Sequence, residues 1–152
     1  MIDVIADVIE PIVASLSGGP VFIYGEKAYQ NLAGDDIDFT NGAAFLYTPL
    51  VERWKTPANT IRPYYQVEMF FAIKSEADMS PSQRRPGIMR MKAIAKEFVL
   101  RLQELEDNDG RKLISNITNV RPTEAINEYD VILDGVVLEL EIEVIDYSSL
   151  CL

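Results

Sequence analysis

The sequence has no histidine and only one cysteine, Cys151, in 152 residues. Histidine is the most common general base and the most common metal ligand in proteins, so every catalytic triad built on it is excluded. A single cysteine forms no internal disulfide and no paired-thiol metal or redox motif. Any active site would therefore have to be built from groups such as Asp, Glu, Lys and Tyr.

Several other signatures are missing as well. The chain has no GxSxG nucleophile elbow, no glycine-rich dinucleotide loop after a strand and no Walker loop. No segment is long and apolar enough to cross a bilayer, and the apolar N-terminus has no early basic residue, unlike a signal peptide. We therefore expect a cytoplasmic protein that is not an enzyme, binds no cofactor and no metal, and does not associate with a membrane.

The composition is that of one globular domain spanning residues 1–152. Hydrophobic residues make up 48% of the chain and charged residues 25%, close to the averages of globular proteins. The formal net charge is −10. Because phosphate binding requires Lys and Arg, we expect no specific binding to nucleic acid.

Two segments carry apolar residues at helical spacing. Residues 3–16 form the first stripe, in which Pro11 predicts a kink or two short helical pieces. Residues 88–106 form a longer stripe, and Gly110 follows soon after its end. Both segments are predicted to be helices that bury one face.

Most of the remaining chain has strand character. Residues 21–24, 43–50, 61–74 and 113–121 are predicted strands, whereas residues 52–60 are predicted to be a loop. Residues 61–74 alternate most regularly, which predicts one buried and one solvated face. A hairpin completes the chain, and the strands outside the long helix have connections too short for parallel crossovers. We predict an α+β fold in the order α-β-β-β-α-β-β-β, with a mostly antiparallel sheet and two helices packed on one face.

The closing hairpin is predicted from YDVILDGVVLELEIEV, residues 129–144, in which Asp134-Gly135 separates two strand-like runs. Asp-Gly favours a two-residue turn. With that turn Leu133 pairs with Val136, and the apolar residues of both arms share one face.

The same register predicts an acidic face. Asp130 falls opposite Glu139, Glu128 falls opposite Glu141, and Glu143 extends the row. Like charges opposite each other destabilise a sheet by under ~1 kcal/mol per pair. Such a row therefore requires an explanation, either structural or functional.

Several interpretations of this face remain open. It could be solvated, or neutralised by Lys74 or Arg62 on a neighbouring strand. It could dock on a basic surface of another subunit, or line an aqueous passage in which DNA slides past. A further alternative is an enzyme that uses Asp130, Glu139 and Glu141 with Mg²⁺ or Mn²⁺ on phosphodiesters.

The predicted long helix has the opposite charge. Residues 84–101 hold six basic residues and one acid, Glu97. This run is either a solvated helix face with snorkelling side chains, or the basic half of a head-to-tail contact with the acidic sheet of the next copy, which closes into a ring when the rotation allows. The candidate subunit-interface or lumen residues are Glu128, Asp130, Glu139, Glu141, Glu143, Arg84, Arg85, Arg90 and Lys92.

Four segments in this order resemble a known family. They are an N-terminal apolar helix, strands up to YYQVEMFFAIK, the helix GIMRMKAIAKEFVLRLQEL and the closing segment DVILDGVVLELEIEV, and they cover most of the chain. In size and element order the chain resembles the tail terminator proteins of long-tailed bacteriophages, the small tail completion proteins of the neck.

The resemblance implies assembly rather than catalysis. It implies a homo-oligomeric ring, expected to be a hexamer, that caps the tail tube and joins it to the head connector, with DNA passing through. The implied partners are other copies, tail-tube proteins and head-connector proteins, in the host cytoplasm and in the assembled virion. Loops 25–42, 52–60 and 75–87 are the candidates for touching them. The alternatives are another phage neck or minor tail protein, or a non-catalytic adaptor domain.

Overall fold

The computed structural model describes residues 2–25, 37–128 and 132–145, with the backbone alone at residues 127 and 128. A π-helical turn, Val4–Ile9, continues directly into helix α1, and a second helix, α2, follows the fourth strand. The elements are α1 Glu10–Ser15, β1 Val21–Gly25, β2 Ala43–Tyr47, β3 Val51–Lys55, a 3₁₀ turn Pro57–Asn59, β4 Arg62–Lys74, α2 Pro81–Glu104, β5 Ile114–Glu128 and β6 Ile132–Val144.

The fold is α+β, as predicted, with two helices and a six-stranded, mostly antiparallel sheet. The strand order is β1-β2-β4-β6-β5, and β3 also pairs with β4. The predicted order of elements is wrong, because four strands precede α2 and two follow it. Strand β3 lies in a predicted loop. Its five residues are all exposed, so it has no buried face that could produce an alternating pattern.

Strands β2 and β3 together form one irregular partner of β4. Leu46 pairs with Met69 and Val51 pairs with Gln66, so five steps (46 to 51) oppose three (69 to 66). The two extra residues form a bulge in this partner strand. Strand β1 runs parallel to β2, which corrects the expectation of no parallel crossover. Residues 26–42 connect the two and are long enough for one.

The two faces of the sheet differ in what covers them. The predicted buried face of β4 is confirmed, because Val67, Met69 and Phe71 belong to the core that contains residues of both helices, and Tyr65 and Ile73 pack against it. This face is termed the helix side, and the opposite face the outer side. The outer side is solvated only in part, because Phe70 and Ala72 on it are buried. Neither helix in the described ranges is long and apolar enough to cross a bilayer.

The outer side is apolar at one end only. There a second, smaller cluster surrounds Phe45, Phe70 and Leu133, and Phe39 packs against it. The rest of the outer side carries polar residues, and it holds the candidate site described below.

The first helix consists of two pieces, as Pro11 predicted. In the first piece the N–H of Glu10 donates to the carbonyl of Ile5, five residues back, which gives a wider turn than an α-helix. Pro11 lies in the first turn of α1, the part of a helix in which proline is best tolerated. Asp3 caps the start by accepting from the N–H groups of Ile5 and Ala6.

The predicted two-residue turn at Asp134-Gly135 is wrong. Both residues lie inside β6, where Asp134 pairs with Ile73 and Gly135 with Ala72 of β4. Strands β5 and β6 do form a hairpin, in which Glu128 pairs with Ile132, and the residues between these two, 129–131, lie outside the described residues.

Position 135 requires glycine because of the packing of two strands, not because of a turn. A Cβ built there would lie 1.9 Å from the carbonyl oxygen of Phe71. No side chain fits in that space without a movement of the backbone of β4. Gly135 therefore allows the two central strands to approach each other closely.

Asp134 is buried and binds the start of α2. Its carboxylate accepts a hydrogen bond from Nη1 of Arg84 at 2.7 Å, and Arg84 is also buried. The same guanidinium donates to Oγ of Ser75 at 3.0 Å, to the carbonyl of Glu76 at 2.9 Å and to that of Met79 at 3.2 Å. One buried ion pair thus joins β6, the loop before α2 and the first turns of α2.

Candidate functional site

A groove of about 910 Å³ crosses the polar part of the outer side. Strands β4 and β6 supply its floor, and residues 47–51 and 119–121 supply its two walls. Both walls are irregular in backbone. The first contains the two extra residues opposite β4, and the second contains a bulge in β5 between Thr118 and Arg121. This feature is termed the outer groove, and its floor includes Gln66, Glu68, Glu139 and Glu141.

Three of the five predicted acidic residues form a row on this side. Glu139 and Glu141 lie in the floor of the outer groove, and Glu143 continues the same face of β6. The predicted register of the row is wrong, since Glu128 pairs with Ile132 rather than with Glu141. The side chain of Glu128 and the whole of Asp130 lie outside the described residues.

Arginines from the neighbouring strands neutralise this row. The ion pairs are Arg121 Nη2 with Glu139 at 2.6 Å, Arg53 with Glu141, and Arg62 Nη1 with Glu143 at 3.6 Å. The expected pairing with Arg62 is confirmed. Lys74, the other cation expected to neutralise the row, lies opposite Leu133 at the far end of β4.

Two of these arginines could not be predicted from the sequence. Arg53 comes from β3, which has no buried face and was predicted to be a loop. Arg121 follows a bulge that shifts the register of β5 by one residue. The sequence shows that arginines are present in these two segments, but it does not show which strands the segments pair with.

Glu141 has the most contacts of the row. Asn119 donates a hydrogen bond to its Oε2, and the guanidinium of Arg53 contacts its Oε1. The hydrogen bond from Asn119 and, after it, the charge of Arg53 lower the pKa of Glu141 below its usual value of 4.5. Asn119 has φ of +54°, which asparagine adopts more readily than most residues. The same residue thus shapes the bulge and binds the groove floor.

The groove floor also contains a pair of like charges. Glu68 of β4 lies directly opposite Glu139 of β6, an arrangement that costs under ~1 kcal/mol in a sheet. The ion pair of Glu139 with Arg121 offsets part of that cost. The floor is therefore acidic but largely compensated, and it favours ligands that carry cations or hydrogen-bond donors.

The alternative hypothesis of a metal site is not supported by the described residues of the outer groove. Among the side chains that the structure describes, no group of three or more His, Cys, Asp or Glu is arranged to hold a metal ion. Glu139 and Glu141 contact Arg121 and Arg53 instead. Asp130, the third residue of that hypothesis, lies outside the described ranges.

The predicted basic helix face is used largely within its own chain. Arg85 and Lys92 both pair with Glu124 of β5, at 2.5 and 3.5 Å. Hydrogen bonding to Arg85 lowers the pKa of Glu124, and the same bond raises the pKa of Arg85. Arg90 donates to the carbonyl of Thr40 at 3.3 Å.

Arg84 requires a correction. It was expected at a subunit contact or in a lumen, whereas the structure buries it against Asp134. Glu124, which the sequence did not single out, is the acid that joins the helix to the sheet edge. The charge separation seen along the sequence is thus partly closed by contacts inside one chain.

Large apolar side chains are exposed at both edges of the sheet. At the β3 edge, Val51 is 52% exposed and Trp54 is 64% exposed. At the opposite edge, Leu100 of α2 and Val120 of β5 are 57% and 44% exposed. The latter two line a groove of about 300 Å³, termed the α2–β5 groove, whose lining residues are Lys92, Ala95, Lys96, Val99, Leu100, Val120, Pro122 and Leu138.

Sequence comparison adds no family to this description. No protein-family model matches the chain, and no curated protein is significantly similar to it. The two sheet edges and the outer groove are therefore the features from which a function can be inferred.

Proposed function

We propose that this protein is a structural assembly protein of a phage or prophage, a ring-forming tail terminator that caps the tail tube and joins it to the head connector. The observation that carries the proposal is the exposure of large apolar side chains at opposite edges of one sheet. Large apolar side chains that are exposed beside a groove favour an interaction site. Complementary surfaces on two sides of one subunit suit a repeated head-to-tail contact, which closes into a ring when the rotation allows.

The positions of the two edges support such a contact. Beside the outer groove the strands follow one another as β3-β4-β6-β5, so β3 and β5 are the edge strands of this part of the sheet, and β1 is the edge strand beyond β2. Strand β5 has 15 residues, most of them exposed. Its bulge and Pro122 disfavour continuous backbone pairing with another strand. A contact made through side chains suits this edge better than extension of the sheet.

The charge of the chain suits a ring through which DNA passes without being held. The net charge is −10, and the acids of the outer groove are compensated mainly by arginines of the same chain. Tight DNA binding requires several contacts between cations and phosphate, and arginines that already pair with carboxylates are less available for them. The number of subunits that the resemblance implies is six.

Light scattering after size-exclusion chromatography, combined with negative-stain imaging, tests the proposal. We expect a concentration-dependent oligomer and particles with a central hole. A protein that stays monomeric at every concentration, at low as well as moderate salt, contradicts it. Neighbouring genes provide an independent check, because capsid, portal and tail-tube genes are expected beside this one, and their absence favours a cellular adaptor.

A further inference from the structure

We infer that Trp54 of one copy inserts into the α2–β5 groove of the next copy. This inference rests on the proposed function, because it specifies the contact that would build the ring. The two features lie on the same side of the sheet and at opposite edges, and each copy carries one of each.

Trp54 is held in a projecting position together with an acid. Its indole Nε1 donates to Oε1 of Glu52 at 2.6 Å, and the hydroxyl of Tyr65 donates to the same oxygen at 3.2 Å. Glu52 pairs with Tyr65, which packs against the core beneath the helices, so Glu52 and Trp54 lie on the helix side. The indole is thus a large exposed apolar surface with a negative charge beside it.

The α2–β5 groove has the complementary character. Val99, Leu100, Val120 and Pro122 give it apolar walls. Of its two lysines, Lys92 already pairs with Glu124 of β5 at 3.5 Å, whereas Lys96 is exposed, and the apolar stems of both cover the surface. Tryptophan is among the side chains that gain most from entering such a groove, and its N–H remains bonded to Glu52.

The α2–β5 groove opens on the same side of the sheet as Trp54. Pro122 of β5 lies opposite Leu138 of β6, and Leu138 belongs to the core of the helix side. The groove therefore faces the same side as Trp54 and Glu52. A head-to-tail arrangement needs no flip of one subunit to bring the two surfaces together.

A second copy fits the groove better than the chain's own tryptophan. The order β3-β4-β6-β5 separates the two edges by three strand spacings, or roughly 14 Å. Trp54 therefore cannot reach its own groove. Glu52 is acidic and Lys96 of the groove is exposed, so the contact between copies is complementary in charge as well as in polarity. One repeated contact covers the indole of Trp54 and the α2–β5 groove of every copy.

The first experiment uses tryptophan fluorescence, because Trp54 is the only tryptophan in the chain. Raising the protein concentration through the assembly transition should shift its emission to shorter wavelength as the indole leaves water. Trp54→Ala and Leu100→Asp should each raise the concentration for half-assembly at least about tenfold. Tyr24→Ala, at a side chain that is 55% exposed on β1, is the matched control and should assemble as the unaltered protein does.

A charge exchange tests the pairing of the two surfaces. Glu52→Lys places two cations at each contact, and Lys96→Glu places two anions there, so each variant alone should assemble more weakly. An equimolar mixture should recover most of the assembly, because alternating copies restore an opposite-charge pair at every contact. Circular dichroism of each variant verifies that it is folded. A mixture that assembles no better than its components overturns the inference.

The remaining outcomes separate this inference from the proposed function. If rings form while the emission of Trp54 stays that of a water-exposed indole, or if Trp54→Ala assembles normally, the inference fails and the proposed function stands. If Trp54 becomes buried only when a different protein is added, the occupant is that protein and the inference also fails. If the unaltered chain forms no oligomer, both fail together.

Discussion

Strand β6 carries carboxylates on both of its sides, and the ion pairs that they form differ in burial and in their expected contribution to stability. On the helix side, Asp134 is 1% exposed and binds Arg84, whose guanidinium makes three further hydrogen bonds. On the outer side, Glu139 binds Arg121, whose side chain is 70% exposed. Each is a carboxylate–arginine pair within 2.7 Å. The two pairs differ in their exposure to solvent and in the further hydrogen bonds that Arg84 makes.

The comparison shows that burial, rather than distance, decides what an ion pair contributes. Water already solvates the outer pair well, so forming it gains little. The buried pair has lost that solvation, and either charge left alone would be strongly destabilising. The buried pair therefore fixes where α2 begins relative to the sheet, whereas the outer pairs adjust the charge of a groove.

The largest predicted effect comes from removing one charge of the buried pair. Asp134→Asn should lower the free energy of unfolding by about 3–5 kcal/mol, because Arg84 stays buried without a counter-charge. Glu139→Gln makes the same chemical change on the other side of β6 and should cost under about 1 kcal/mol. Urea denaturation of both variants measures the difference. Equal losses would show that burial does not distinguish the two sides.

The second effect concerns the close approach of β4 and β6 beside that pair. Gly135→Ala should cost at least about 3 kcal/mol, because the new Cβ meets the backbone of Phe71 and β4 must move. Gly110→Ala is the control, since Gly110 has φ of +74° but open space around it. Its cost is that of the left-handed conformation alone, about 1–2 kcal/mol. Denaturation midpoints that place Gly110→Ala below Gly135→Ala would refute the close approach.

The smallest effect belongs to the outer side and depends on pH. The pKa of Glu141 is lowered by Asn119 and Arg53, so the unfolded chain takes up a proton before the folded chain does. The stabilisation is therefore complete at neutral pH and is lost as the pH falls through the lowered pKa of the folded state. Glu141→Gln should be slightly less stable than the unaltered protein at neutral pH, and the difference should vanish in acid. A difference in urea midpoint that persists at low pH contradicts this assignment.

The regular part of the fold could be predicted from the sequence. The alternation in β4 gave the correct buried face from Tyr65 to Ile73, and the stripe in residues 88–106 gave the long helix, which spans Pro81–Glu104. In the helix and in the first part of β4 one side is buried and the other is not, so the hydrophobic pattern repeats with the period of the backbone. Where no side is buried, as in β3, the pattern carried no information and the strand was missed.

The candidate surfaces could be predicted only in part. Alternation along β6 correctly grouped Glu139, Glu141 and Glu143, because the side-chain period of a strand does not depend on its partners. Their partners depend on register, and the register was wrong because Asp134-Gly135 was interpreted as a turn. The exposed Trp54 and the α2–β5 groove require the whole sheet to be assembled before their positions can be known.

The sequence by itself determined the α+β class, the helix-side core and the acidic face of β6, because each follows from the periodicity of side chains along one element. Only the tertiary structure decided that Asp134 forms a buried ion pair and that Gly135 allows two strands to approach each other closely. An Asp-Gly pair is compatible with either environment, and the choice depends on Arg84, which lies 50 residues away along the chain. Local preference is worth about 1 kcal/mol in a strand, and a buried charge with its partner outweighs it.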